Sequence, residues 1–436
     1  MKSSCVARCC LAAVLILCVG ALSGCSALVK LSSDLRETAR DIRLVSGTVI
    51  SPACRDCETI IVVLADEAGS SVDNYRVFER PGAFRLAALA TSRYLFAFQD
   101  LNGDFEFQSD EPSGWFDLRD ASFFFGQAED IGIVLSGDAG RRRPASLGNL
   151  FDLRGSTLGR VDVQLGKPAR LDDARFSPEA AAMGMWQPLR FMKEGYAGIY
   201  FLEPYAADKT PVLFVHGIAG SPRDLDDVIA VLDRRRFQPW LMNFPSGLDI
   251  RALGDGLVGL LAELRHRFGF AELHIVAHSM GGIVVREYLA ECARSDGCDY
   301  ARRFISISAP FGGDSAARLG VEYAPVVMPV WRSLASDGTF IKRLFDEPLP
   351  DGVTHFLVFG FRNSATLRSA SGDGVIPLAS QLRPEAQLQA RALRGFDEDH
   401  MSILGNQQVL RYIKEILEGR DQRRPARLPR AMPGGL

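Results

Sequence analysis

The sequence predicts two units in series: a small all-β sandwich and, behind it, an α/β domain built on a mostly parallel sheet. From about Val45 to Leu135, short β-branched and aromatic runs recur between Gly, Pro, Asp and Asn, with no helical period among them. From Pro211 onward, wholly apolar strands alternate with helical segments, the pattern of a parallel sheet covered on both faces. Of the 436 residues 47% are hydrophobic and 24% charged, which supplies apolar material for sizeable cores and excludes disorder as a description of the whole chain. A net charge of −3 gives no sign of a broad nucleic-acid surface.

The first residues read as an export signal. Lys2 and Arg8 precede an apolar run from Leu11 to Leu22, which is shorter than the ~20 residues a membrane-spanning helix needs. Leu22-Ser23-Gly24-Cys25 then resembles the lipobox of bacterial lipoproteins. That resemblance implies a signal peptide over 1–24, cleavage before Cys25, and acylation of Cys25 as a membrane anchor. Residues 25–44 become a tether. Ser26 after the cysteine suggests, by analogy, the outer membrane of a bacterial envelope. In an oxidising compartment the later cysteines are expected to form two local disulfides, Cys54–Cys57 and Cys292–Cys298. No histidine lies near Cys54 to complete a zinc site, and Pro52 puts the C-x-x-C at a hairpin end.

The sandwich is expected over 45–136, with strands at Gly47–Ile50, Ile60–Leu64, Tyr75–Phe78 and Tyr94–Phe98. The order of its pieces resembles transthyretin-like or carboxypeptidase-regulatory-like sandwiches. Within it, Asp100, Asn102 and Asp104 stand at positions 1, 3 and 5 of a twelve-residue stretch that ends on Glu111, with Glu106 between. This is the spacing of a calcium loop, in which alternate oxygens wrap a hard cation. The sixth position, where the sharp turn asks for glycine, is Phe105. The alternative is an acidic turn between strands. Residues 137–189, with Arg141-Arg142-Arg143-Pro144, are expected to be a linker and connecting segment, and 419–436 a disordered tail.

In the α/β unit, strands are expected at 212–215, 240–244, 273–277, 304–308 and 355–359. Helices are expected at 225–232, 253–268, from Gly281, and at 404–417. The strand ending at Ala277 runs into Ala277-His278-Ser279-Met280-Gly281, the G-x-S-x-G elbow with alanine in the first small place. Such a turn pushes a serine hydroxyl out of the sheet. It also sets the serine at a helix N-terminus, which favours developing negative charge.

His216-Gly217-Ile218-Ala219-Gly220, after the first apolar strand, resembles the H-G-x-x-G loop of α/β-hydrolase lipases and esterases. The resemblance covers about residues 190–418 and implies the α/β-hydrolase fold. It implies backbone N–H groups of Ile218 and Met280 as the oxyanion hole, and the order Ser, acid, His. Of six histidines (His216, His266, His274, His278, His355, His400) only His355 and His400 follow Ser279, and His355 opens a predicted strand. His400, in a loop before the last helix, is the expected base. His278 is expected to pack or to hydrogen-bond. Asp373, in Gly372-Asp373-Gly374-Val375-Ile376-Pro377, is the preferred acid, with Asp397 and Asp399 as alternatives.

Residues 314–350 form an insertion. Its apolar stretch, with Val326, Trp331, Phe340, Ile341, Leu344 and Phe345, is expected either to cover an acyl pocket as a lid or simply to pack. The function this implies is hydrolysis of carboxylic esters through an acyl-enzyme, without a catalytic cofactor, with lipid acyl esters favoured at the envelope. Acyl transfer by the same triad, and a non-catalytic envelope adaptor on a hydrolase scaffold, are the alternatives.

Overall fold

The computed structural model describes residues 32–33, 42–52, 59–66, 72–123, 127–136, 163–295, 297–362 and 371–420. The lipobox, Cys54 and Cys57, Arg141–Arg143 and most of the C-terminal tail lie outside them. No helix among the described residues is long and apolar enough to cross a membrane.

The N-terminal strands are β1 (Ile42–Ile50), β2 (Ile60–Ala65), β3 (Val72–Phe78), β4 (Ala83–Leu89), β5 (Tyr94–Gln99), β6 (Ser113–Asp117) and β7 (Gln127–Val134). They form two sheets, β4-β1-β7 and β3-β2-β5-β6. All pairings are antiparallel except β1 with β7. Alternation decides which side chains meet between the sheets: Ile60, Val62 and Leu64 join Val45, Val49, Leu86, Leu95 and Ile133 in the inner core. Ile61 and Val63 point the other way and pack with Tyr75, Phe96, Phe98 and Phe105. Every residue of β2 is buried because its second face is covered too, which is why the strand reads as one unbroken apolar run.

The remaining elements build the α/β unit. They are β8 (Gln164–Pro168), α1 (Pro178–Trp186), α2 (Pro188–Lys193), β9 (Gly198–Phe201), β10 (Thr210–Val215), α3 (Asp226–Ala230), β11 (Phe237–Asn243) and α4 (Ile250–Phe268). They continue with β12 (Leu273–His278), α5 (Met280–Ser295), β13 (Ala301–Ile307), α6 (Ser315–Tyr323), α7 (Pro329–Leu334) and α8 (Thr339–Arg343). Last come β14 (Thr354–Gly360), α9 (Leu378–Gln381), α10 (Pro384–Gln389), β15 (Ala390–Phe396) and α11 (Gln407–Leu417). The eight-stranded sheet has the order β15-β14-β13-β12-β10-β11-β9-β8 and is parallel except where β9 meets β11. Its two faces carry separate cores, one with α4 and α5, the other with α3 and α11.

Helix α4 shows how local chemistry fixes a boundary. The Asp249 side chain accepts from Ala252 N at 3.3 Å to start it, and Gly269 ends it in the left-handed conformation with φ 61°.

The structure departs from the sequence reading at one boundary. The sheet begins at Gln164, and α1 and α2 contribute Met185 and Leu189 to buried positions, so 164–189 belongs to the α/β unit rather than to a linker. Gln164–Pro168 is a short edge strand carrying Gln, Gly, Lys and Pro, so it gives no apolar signal. In the insertion, Met328, Val330, Leu334, Ile341 and Leu344 are buried in the main core with Trp331, Phe340 and Phe345 packed against it. That stretch packs. Helix α6, by contrast, buries only Ala317 and leaves Leu319 and Tyr323 47% and 71% exposed.

Candidate active site

Four loops leaving the C-terminal ends of parallel strands meet at one point. The first follows β12. Ser279 takes φ 53°, a left-handed conformation unusual for a residue with a side chain, and its N–H donates to Ile307 O at 2.8 Å. Helix α5 begins with the next residue. The turn is possible only because its neighbours are small: a Cβ on Gly281 would stand 2.5 Å from His216 O.

The second loop follows β10. Gly217 lies against the serine, and a Cβ there would come within 3.0 Å of Ser279 Cβ. His216 is fully buried and stacks on Phe244 with ring centroids 4.1 Å apart. Its Nε2 accepts from Phe244 N and its Nδ1–H donates to Gly217 O, and burial pushes its pKa down to about 4. Among the described residues no hydrogen bond takes up the N–H of Ile218 or of Met280. These are the two donors expected for an oxyanion, and they flank Ser279 from the two loops.

The third component is a pair of loops after β14 and β15. His400 Nε2 is 2.9 Å from Ser279 Oγ, and its Nδ1 is 2.7 Å from Asp373 Oδ2. A second strut ties the same two loops, for His400 N donates to Asp373 O at 2.9 Å. The other carboxylate oxygen of Asp373 accepts from Val375 N at 3.0 Å and Ile376 N at 2.6 Å. Burial alone would raise the Asp373 pKa. The hydrogen bond and charge of His400, with those two N–H groups, outweigh it and hold the carboxyl below its usual range. Since Asp373 takes Nδ1–H, the neutral imidazole presents a bare Nε2 to the serine hydroxyl. That arrangement can draw a proton from Ser279 Oγ.

The other candidates go elsewhere. Asp397 pairs with Arg362 at 3.3 Å, and Asp399 caps the next turn by accepting from Met401 N and Ser402 N. His355 opens β14, fully buried, with Nε2 2.8 Å from Ser306 Oγ. Sequence reasoning missed Gln381, whose side chain donates to Gly360 O and Ile376 O and accepts from Gly360 N, clamping the Asp373 turn to the end of β14. A glutamine just past a Pro carries no signal of that task.

The Cys292–Cys298 disulfide is formed, while Cys54 and Cys57 lie outside the described residues. In the acidic loop of the sandwich, Phe105 takes the left-handed turn with φ 61° in place of glycine, its ring 4.6 Å from that of His266. Asp100 accepts from Gly103 N, Phe105 N and His266, while Glu111 accepts from Leu101 N and Gln108 N. Asp104 accepts from Glu106 N and Asn102 Nδ2. The loop is closed by its own hydrogen bonds, and no three of its carboxylates converge within 4.8 Å. Asp255, Glu287 and Glu291 do lie that close, but Arg85, Arg251 and Arg294 pair with them.

The sequence matches the alpha/beta hydrolase family over residues 212–435, just over half of the chain, so the protein belongs to that family. No curated protein matches it. Among solved structures it is similar to the mature lipase BlEst2 of Bacillus licheniformis, at 20% identity and a TM-score of 0.41, over 49% of this chain and 96% of that one. It is also similar to a Listeria innocua gene product, lin2722, at 15% identity and TM-score 0.39, over 48% and 94% of the two chains. A third is Est1E of Butyrivibrio proteoclasticus bound to ferulic acid, at 14% identity and TM-score 0.37, over 51% and 94%.

Proposed function

We propose that this protein hydrolyses carboxylic esters through an acyl-enzyme on Ser279. The observation that carries the reading is the unbroken hydrogen-bonded chain from Ser279 Oγ through His400 to Asp373. Ser279 Oγ attacks the acyl carbon as His400 Nε2 takes its proton, and the carbonyl oxygen becomes an oxyanion held by Ile218 and Met280 N–H. Collapse breaks the bond to the leaving alcohol oxygen, which receives that proton. Water then repeats the sequence on the acyl-enzyme, giving up a proton to His400, and frees the acid and Ser279. Asp373 orients the imidazole and stabilises its charged form throughout.

The favoured substrates are lipid acyl esters at a bacterial envelope, most simply the outer membrane, with the chain anchored by acylated Cys25. A tethered enzyme meets acyl lipids at high local concentration. Helix α6 is the next helix after β13, whose Ile307 O accepts from Ser279 N, and it shows Leu319 and Tyr323 to solvent.

The decisive experiment is labelling with a fluorophosphonate probe alongside turnover of p-nitrophenyl esters. Ser279→Ala is expected to lose both, and undiminished turnover in that variant overturns the triad. For the anchor, Cys25→Ser is expected to move the protein out of the membrane fraction. A mature N-terminus elsewhere, without lipid, overturns that part.

A further inference from the structure

The residue before the candidate nucleophile does something its neighbours do not explain. His278 is 3% exposed, and its Nε2 lies 3.0 Å from the backbone oxygen of His400. Because the partner is a carbonyl, Nε2 must carry the proton and donate. Among the described residues no other group donates to His400 O. The two imidazoles are tilted against each other, with centroids 4.7 Å apart. His400 is therefore gripped three ways: its N–H by Asp373 O, its ring by Asp373 and Ser279, and its carbonyl by His278.

We infer that His278 is a positioning residue for the base, one that locks the backbone of His400 to the same dipeptide that carries Ser279. The inference rests on the triad reading above. The left-handed turn at Ser279 sends consecutive side chains in different directions. The His278–Ser279 pair thereby reaches both the carbonyl and the Nε2 of one residue, and the Ser–His distance becomes a local dimension of the elbow. Without it, that distance would depend on the ties of His400 to Asp373 on a neighbouring loop and on the loop after β15, where Glu398 is held to Arg362 and Asn406.

His278 suits the task because it stays neutral. Burial, with His400 beside it, pushes its pKa down to about 3. When His400 becomes charged during turnover, the neighbour adds no second charge and keeps its donor on the carbonyl. An apolar side chain of the same size would fill the space and leave His400 O unsatisfied.

The test compares two amides. In His278→Gln the side-chain NH2 reaches about as far as imidazole Nε2, whereas in His278→Asn it ends near the Nδ1 position. Both are polar, so general tolerance of polarity cancels. His278→Gln is expected to keep kcat within about threefold of the parent. His278→Asn is expected to lower kcat by at least about tenfold with KM within twofold, and to slow fluorophosphonate labelling in proportion, since a small misplacement of a reacting group is costly. Equal kcat in the two variants overturns the inference, as does a loss in KM alone. Ser279→Ala measured alongside separates the two levels. If it is inactive while the amide variants match each other, His278 is only packing. If it retains turnover, the triad itself is wrong.

Discussion

Tyr75 on the sandwich donates a 2.7 Å hydrogen bond to Glu263 on α4, and both side chains are fully buried. It is the centre of a seam. Arg76 and Arg85 reach Asp255 on one side of it, and Asp100 reaches His266 on the other. Glu79 accepts from Cys298 N at 2.9 Å, at the disulfide-closed turn after α5. The sandwich is thus attached through buried and half-buried polar contacts that only a defined register satisfies.

Tyr75→Phe removes the donor while keeping the ring. We expect a loss of about 1–3 kcal/mol, the cost of leaving a buried carboxylate short of a partner. Urea unfolding followed by fluorescence and by circular dichroism should show one shared transition in the parent protein. Two separate transitions in the parent would mean that the seam does not couple the units.

Ser279→Gly should stabilise the protein as it inactivates it. Only glycine takes the left-handed turn without strain, worth on the order of 1 kcal/mol, or about 2–4 °C in Tm for a domain of this size. A Tm at or below that of the parent would show that the elbow stores no strain.

For the acyl-lipid reading, α6 and α8 give opposite expectations. Leu319→Asp with Tyr323→Asp, both exposed, should leave Tm unchanged. It should lower kcat/KM for twelve-carbon relative to two-carbon esters by about tenfold, ~1.4 kcal/mol of lost apolar contact. Ile341→Asp should lower Tm, because its side chain is core. A parent whose kcat/KM falls steadily with chain length, unmoved by the α6 changes, removes lipid esters as the favoured substrates.

Acid should unfold this protein early. Burial lowers His216 to about 4 and His274, His278 and His355 to about 3, so all four are neutral in the folded chain at pH 5.5. An unfolded histidine titrates near pH 6.5. Below that, the unfolded chain binds protons the folded one refuses, so the stability these groups permit is complete above about pH 6.5 and lost as pH falls toward their folded values. Each contributes about 1.4 kcal/mol per pH unit in that window. His355→Phe, whose ring can take over the stacking on Phe304, should flatten the slope of unfolding free energy between pH 6 and 5 by one proton. An unchanged slope would mean His355 is already protonated when folded. The depressed carboxyl of Asp373 acts only further down, below about pH 4.

What the sequence made legible follows from where water is. Strands buried on both faces, such as Val212–Val215, must be continuously apolar, and the elbow and H-G loops need small residues at fixed offsets. Those signals are local. Glu263 looks like a solvent-facing helix residue, and only the sandwich that arrives from 188 residues earlier makes it buried. The His278 contact crosses 122 residues, and the acceptor is a carbonyl, which every residue has. The edge at β8 hides for the opposite reason: half of it faces outward, so nothing selects apolar side chains there.

That same sheet ends in strands that resist extension. At one end Gly166, with φ 68°, breaks the register of β8, and Pro168 offers no N–H. At the other, β15 exposes Arg391 and Arg394 beside Leu393. An incoming strand would meet a missing donor on one side and bulky arginine side chains on the other. Edge-to-edge pairing of two such sheets into one of sixteen strands is therefore disfavoured at both edges.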